Sequence, residues 1–286
     1  MEDYDLFEKA RSEIGDKEYF SRFQYICGKK CLNYVDTIVI NLPCSCYADC
    51  DYCFDKQLRK NTISVNRFLI LCSYVFDQFQ EIKHISITGG SLPAEAFNYL
   101  VKTIKNKYND CKITWNTNGA GIDDNYKEGI SNINHINLHR NAVSDDENYK
   151  LFKASKPIIS INDAKKLFGK SLCVRVTIDE NFVLDNYADL GIPLYLNRLL
   201  PGTQKTDQLF HYALEKLNIS KYHDIRRRNV YLSAMYKNIP VRVCLGDRLA
   251  NHIPGRKPIF LNVVIIHRSG TVCGSWYEDD KLLFKI

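Results

Sequence analysis

Thr37-Ile38-Val39-Ile40-Asn41-Leu42-Pro43-Cys44-Ser45-Cys46-Tyr47-Ala48-Asp49-Cys50-Asp51-Tyr52-Cys53-Phe54 is the stretch on which the reading of this chain turns. Its first six residues form an apolar, β-branched run suited to a strand. Three thiols follow at the spacing Cys-x3-Cys-x2-Cys, as Cys46, Cys50 and Cys53. Three thiolates on one short loop can hold three irons of a four-iron cluster and leave the fourth open to an exogenous ligand. A four-cysteine site lacks that opening and usually carries electrons or clips structure. The alternative is a zinc clip in which Cys44 supplies the fourth ligand. Structural zinc sites usually pair two short Cys-x2-4-Cys hooks from separate parts of a chain, whereas these thiols crowd a single loop. Cys44, at Cys-x-Cys spacing before Cys46, stands outside the three-cysteine pattern and reads as a bystander near the cluster.

Downstream of the loop, short β-rich runs alternate with amphipathic stretches, the pattern of repeated βα units over a parallel sheet. Strands are expected at Thr37–Leu42, His84–Thr88, Lys112–Asn116, Ile133–Leu138, Leu172–Ile178 and Pro193–Leu199. Helices are expected from Ser64, a candidate N-cap, to Phe79, from Pro93 to Tyr108, from about Ser144 to Ala154, and from Asn162 to Phe168. Six strands ending in polar or glycine-rich residues put the candidate active groups on one rim of a curved sheet, where α/β barrels keep their chemistry. The expected fold class is α/β, a partial (β/α)6 TIM-like barrel with a small C-terminal extension. Its divisions are 1–36 before the barrel, 37–203 as the core, and 204–286 as the extension or cap. In the last part Val241–Cys244, Ile259–His267 and Val272–Trp276 read as strands, with Ser269-Gly270 a hairpin turn.

The cysteine spacing, with Tyr52 directly before the last thiol, resembles the signature loop of the radical S-adenosylmethionine superfamily. The order of elements resembles that family from about Thr37 to Gly202. The resemblance implies a partial (β/α)6 barrel and a [4Fe-4S] cluster held by Cys46, Cys50 and Cys53. It further implies S-adenosylmethionine bound at the open iron through its methionine amino and carboxylate groups. One electron from an external donor such as flavodoxin or ferredoxin then cleaves the sulfonium to methionine and a 5'-deoxyadenosyl radical, which abstracts hydrogen from substrate. Tyr52 or Phe54 would pack against the adenine.

Other segments match at the same rim. Thr88-Gly89-Gly90-Ser91 resembles the Gly-Gly-Glu type segment that meets the methionine amino group. Ser91 stands where the family has Glu, so a backbone role survives and a carboxylate role does not; a tight turn is the other reading. Asn116-Thr117-Asn118-Gly119 resembles a further common segment, although Asn-Gly is equally an ordinary turn. Asn137, His139 and Arg140 end the fourth strand, where family members often place polar contacts to the cofactor ribose and carboxylate. Arg175, a charge inside the apolar fifth strand, is costly unless paired. It either clamps the methionine carboxylate in a two-bond fork or closes an internal ion pair. Asn197 and Arg198 on the sixth strand hold a similar, weaker place.

Composition bounds the rest. The 286 residues are 45% hydrophobic and 25% charged, enough for one α/β barrel, with no low-complexity tract or tandem repeat. The segment from Met1 to Glu18 is acidic and lacks the basic start and apolar centre of a signal peptide. No apolar run approaches the roughly 20 residues that span a bilayer, so a cytoplasmic protein with no membrane partner is expected. Eleven cysteines, an odd count, point to ligation or buried thiols rather than a disulfide framework. Cys72, Cys111 and Cys173 read as core thiols. Cys244 and Cys273 are too isolated to suggest an auxiliary cluster, and Cys273, beside Trp276 and Tyr277, is a candidate hydrogen donor at the barrel mouth. The net charge of +6 mildly favours anionic partners. Arg226-Arg227-Arg228 reads as a solvated turn or helix face, or as a contact for phosphate, RNA or an acidic peptide. A nucleotide-like or other small-molecule substrate suits the basic balance, with a peptide or tRNA as alternatives. The readings from other classes are a basic zinc protein that binds nucleic acid and an iron-sulfur redox sensor; neither needs six strands with polar ends.

Overall fold

The computed structural model describes residues 35–44, 46–51, 53, 62–199, 202–218, 221–226, 229–244, 263–274 and 282–285. In chain order they form β1 (Thr37–Leu42), α1 (Val65–Asp77), β2 (His84–Gly89), α2 (Ala94–Lys107), β3 (Lys112–Thr117), α3 (Lys127–Ile130) and β4 (His135–His139). Next come α4 (Asp145–Leu151), α5 (Ile161–Phe168), β5 (Leu172–Ile178), α6 (Leu184–Ala188), β6 (Leu194–Arg198) and α7 (Gln204–Leu217). The remaining strands are β7 (Lys221–Arg226), β8 (Asn229–Tyr236), β9 (Ile239–Cys244), β10 (Val263–Ile266), β11 (Thr271–Cys273) and β12 (Leu282–Lys285). Serines start three of the helices: the hydroxyls of Ser64, Ser144 and Ser160 accept from the third residue onward, capping α1, α4 and α5.

The described residues fall into two compact units. The first draws on Ile26–His139, Ser144–Leu172 and Leu261–Ile286, and the second on Arg140–Val143 and Cys173–Phe260. In the first unit the strands run in the order β12-β11-β10-β1-β2-β3-β4. From β10 to β4 they are parallel, and β11 and β12 join antiparallel. All six residues of β1 are buried, as a parallel strand covered on both faces requires. Register places Ile38, Ile40, Ile85, Ile87, Ile113 and Trp115 on one face, where the Trp115 ring lies 4.4 Å from that of Phe97 on α2. The opposite face begins with an apolar cluster of Val39, Val263 and Ile265. Toward the strands' C-terminal ends it turns polar, with Asn41, Ser86, Thr88, Asn116 and Asn137. The expected extension therefore supplies sheet: the uniformly apolar β10 lies parallel beside β1.

In the second unit the order is β5-β6-β9-β8-β7, with β5, β6 and β9 parallel. The β8–β9 hairpin turns through Lys237 and Asn238 at φ of 46° and 64°, the geometry of a type I′ turn. Thr203 and Thr206 form a capping box at the start of α7. Three features here were not expected: α6, the first half of α7, and the pairing of β7 with β8 from Arg226 to Asn229. The apolar positions of α7 are sparse among Gln, Lys and Asp. Arg227 and Arg228 lie outside the described residues.

Of the boundaries that moved, two show a local reason. The fourth strand begins at His135 rather than Ile133, because the Ile133 N–H closes a turn on Ile130 O at 3.0 Å and Asn134 ties itself to Ile113. The fourth-unit helix α4 stops short of Ala154 because Lys153 adopts a left-handed φ of 47°.

Candidate functional site

Cys46, Cys50 and Cys53 follow the C-terminal end of β1 as half-buried thiols outside any disulfide. The loop that carries them is pinned by backbone bonds to the segment after α4. Asp49 N–H donates to Phe152 O, and Ser155 N–H to Tyr47 O, both at 2.7 Å. The segment after β3 pairs with the same region: Gly121 N–H donates to Pro157 O at 2.8 Å and Ile159 N–H to Gly119 O at 3.0 Å. Between these supports Ala48, Ala120, Phe152 and Ala154 make an apolar floor on which Cys46, Tyr47 and Cys50 pack. Lys153 Nζ pairs with Asp51 at 2.7 Å, and Lys156 Nζ lies 4.0 Å over the Tyr47 ring. Cys53 N–H closes a turn on Cys50 O at 3.2 Å.

Asn118 is the residue from the expected site that touches a thiol. Its Nδ2 donates to Cys46 Sγ at 3.3 Å while its Oδ1 accepts the Ala120 N–H at 2.9 Å, which fixes the amide's orientation. Three thiols on one loop, an apolar floor and an amide aimed at one sulfur are a donor set and surroundings that fit a [4Fe-4S] cluster. Among the described residues no three His, Cys, Asp or Glu side chains gather as a single metal ion needs. Burial raises the Cys44 thiol above its ordinary pKa and Arg268 draws it partly back.

Gly89 and Gly90 are required by the route of the chain. Gly89 has φ +87°, and a Cβ there would strike Asn41 Oδ1; at Gly90 it would strike the carbonyl oxygen of Cys44. The glycine pair thus lets β2 end against the entry to the cysteine loop, with half-buried Ser91 following. Beside it runs a polar ladder across three strands. Asn137 Nδ2 donates to Asn116 Oδ1 at 2.8 Å, and Asn116 Nδ2 donates to Ser86 Oγ at 3.2 Å. Asn137 Oδ1 is buried and accepts nothing from the described residues. His139 sits edge-on to Phe152, 5.9 Å between ring centroids, behind the anchor that holds Asp49.

Arg175 belongs to the second unit. Its Nη2 donates to Asn197 Oδ1 at 3.3 Å and its guanidinium lies 5.1 Å from the Tyr195 ring centroid. Arg140, fully buried, donates its N–H to Arg175 O at 2.9 Å. Arg198 faces the other way from Asn197, as strand alternation dictates, and pairs with Asp207 through Nη2 at 2.8 Å and Nε at 3.0 Å. Its guanidinium is thus committed to a partly buried ion pair. Cys244 and Cys273 are buried, the latter opposite Ile265 on β10. Tyr52, Phe54, Trp276 and Tyr277 lie outside the described residues.

Sequence reasoning missed Asn41 and Arg268. Arg268, fully buried, donates from Nη2 to Asn41 Oδ1 at 2.9 Å, and its carbonyl accepts the Ile63 N–H. The signal for Asn41 was available, as a lone amide in an apolar strand; Arg268 resembled an exposed residue of the Ser269-Gly270 turn.

No protein-family model and no curated protein matches the sequence. Solved structures do. SuiB from Streptococcus suis bound to S-adenosylmethionine superposes with TM-score 0.57 at 15% identity, over 96% of this chain and 65% of SuiB. SuiB bound to its precursor peptide SuiA gives 0.57 at 14% over the same shares. The anSMEcpe structure with bound AdoMet and Cp18Cys peptide gives 0.51 at 15%, over 84% of this chain and 73% of that one. The chain thus spans less than two thirds of the length of SuiB. Among the described residues no helix is long and apolar enough to cross a membrane. With its parallel βα order and the thiol loop after β1, the chain has the fold of the radical S-adenosylmethionine enzymes.

Proposed function

We propose that the chain is a radical S-adenosylmethionine enzyme in which Cys46, Cys50 and Cys53 hold a [4Fe-4S] cluster. The observation that carries this reading is the seating of the cysteine loop, pinned to Phe152 and Ser155 with the Asn118 amide on Cys46 Sγ. When bound, the cluster and S-adenosylmethionine supply one-electron cleavage of the sulfonium and a 5'-deoxyadenosyl radical that removes hydrogen from substrate. The chain's residues bind, orient and exclude water. The backbone of Gly89-Gly90-Ser91 accepts the methionine ammonium. The amide ladder of Asn116 and Asn137 offers oxygens to the ribose hydroxyls, and Tyr52 or Phe54 covers the adenine. His139 holds Phe152 behind the loop, and Arg175 offers its fork to a carboxylate. An external one-electron donor of the flavodoxin or ferredoxin kind completes the system.

The substrate is a second matter. The basic balance suits a nucleotide-like small molecule, but the peptides bound to SuiB and anSMEcpe favour a peptide. The test is to purify the protein without oxygen, reconstitute and reduce it, and measure 5'-deoxyadenosine formed from S-adenosylmethionine, alone and with candidate peptides. Wild type should form it, and Cys46→Ala, Cys50→Ala and Cys53→Ala should form none. A brown, cluster-loaded wild type that forms none under any of these conditions overturns the enzyme reading in favour of a redox sensor. A colourless chain holding about one zinc points to the zinc protein.

A further inference from the structure

The turn that joins β10 to β11 carries a residue that turns do not ordinarily bury. It is closed by Gly270 N–H on His267 O at 3.0 Å and by His267 N–H on Thr271 O at 2.9 Å, with Gly270 at φ 88°. Arg268, between these bonds, is fully buried. Arginine is seldom buried to that degree, because its guanidinium loses its water on entry. Register explains where the side chain goes. β10 lies parallel beside β1 with Ile266 opposite Ile40, so the turn after β10 emerges next to Asn41.

Three elements of the first unit meet at Arg268. Its Nη2 donates to Asn41 Oδ1 at 2.9 Å, near the end of β1. The bonded pair fills the space over the Gly89 Cα: a Cβ there would strike Asn41 Oδ1 and stand 3.0 Å from Arg268 Nη2. The pair is thus the wall against which β2 ends, and Gly90 follows against Cys44 O. The third contact is the Arg268 carbonyl, which accepts the Ile63 N–H at 2.9 Å. Ile63 directly precedes Ser64, the cap of α1. Residues 42–62, with Cys46, Cys50 and Cys53 among them, therefore leave from one residue bonded to Arg268 and return to another. Fixing both ends of a long loop on one buried residue removes freedom the chain otherwise keeps.

We propose that Arg268 is a positioning residue of the candidate site. Through Asn41 it seats Gly89-Gly90, and through its carbonyl it holds the exit of the cysteine loop, so that the glycine backbone and the thiols keep one mutual geometry. That this geometry serves S-adenosylmethionine rests on the enzyme reading above; the staple itself does not.

The test titrates the anaerobic, cluster-loaded full chain with S-adenosylmethionine and follows the change in the cluster's EPR spectrum. Arg268→Met removes the donors at similar length, and Asn41→Ala removes the acceptor and the wall. Each should weaken binding about tenfold with iron content unchanged. The double variant should bind no more weakly than either single one, because the two residues act as one unit. Arg268→Lys, which keeps a donor, should bind more tightly than Arg268→Met. Wild-type affinity in both single variants, or losses that simply add, overturns the proposal, even where the variants unfold more easily. If Arg268→Met does not fold, Asn41→Ala, which leaves the turn intact, decides alone. Amide exchange at Ile63, read without any cofactor, should be about tenfold faster in Asn41→Ala than in wild type, and an unchanged rate overturns the staple. A wild type that takes up no S-adenosylmethionine but shows this exchange difference keeps the staple and overturns the enzyme reading.

Discussion

Asn118 bears directly on the electron chemistry expected of the loop. A hydrogen bond to a ligating sulfur stabilises the more negative, reduced cluster and so raises its potential. If the bond differs by about 1 kcal/mol between oxidation states, its loss corresponds to about 40 mV for a one-electron couple. Asn118→Ala should therefore lower the midpoint by about that amount in an EPR-monitored redox titration, with iron content unchanged. A midpoint equal to wild type sinks the assignment. The residue was legible in the sequence as part of Asn116-Thr117-Asn118-Gly119, but its target was not. The expected partner was the organic cofactor, and only the Oδ1 bond to Ala120 N–H turns the amide toward Cys46. Gly89 and Gly90 were legible in the same partial way. The sequence left a cofactor contact and a tight turn open, and the structure adds a steric cause in Asn41 and the Cys44 carbonyl.

At the scale of elements, the joint between α1 and α2 is tied by a buried hydroxyl beside the Lys107–Asp77 ion pair at 2.9 Å. Tyr108, just past the end of α2, is buried, and its hydroxyl bonds Phe76 O at 2.6 Å with Phe79 O at 3.1 Å, carbonyls at and beyond the end of α1. Helix ends leave carbonyls without intrahelical partners, and this side chain satisfies them from a neighbouring helix. Tyr108→Phe keeps the ring against Phe76 and removes the donor, so it should lower unfolding free energy by about 1–3 kcal/mol in urea titration. An unchanged midpoint would mean that water replaces the hydroxyl. Elements with their own caps and dense apolar faces were legible from sequence. Ser64 and the apolar face at Phe68, Cys72, Val75 and Phe76 mark α1, and β5 is bounded as expected at Leu172–Ile178. The β7–β8 hairpin was not, because β7 is identified only by its pairing with β8.

At the scale of the whole molecule, stability should fall in acid partly through a surface network in the second unit. Asp185 on α6 accepts from Lys237, Tyr236 and Lys216, which hold its carboxyl well below the ordinary carboxylate range. A folded-state value depressed below the unfolded one, about 3.9, stabilises the fold at pH above the unfolded value. That contribution drains away as pH falls from there toward the folded value. The stability gap between wild type and Asp185→Asn should thus be greatest near neutral pH and shrink below about pH 4. The carboxylate is solvent-accessible, so the gap should also shrink with added salt. A gap constant from neutral pH to acid would remove Asp185 from the account.

The sequence by itself determined the local facts: a strand ending in three thiols, a run of βα units, serine caps, and apolar periods that assign faces. These depend on residues within a few positions of one another, where propensity, capping and spacing act directly. Only the tertiary structure decided which distant strands meet. It laid β10 beside β1 and β9 beside β6, and brought Arg268 to Asn41. Such pairings follow from the burial of whole strands and from shared register across long loops, which no local pattern encodes.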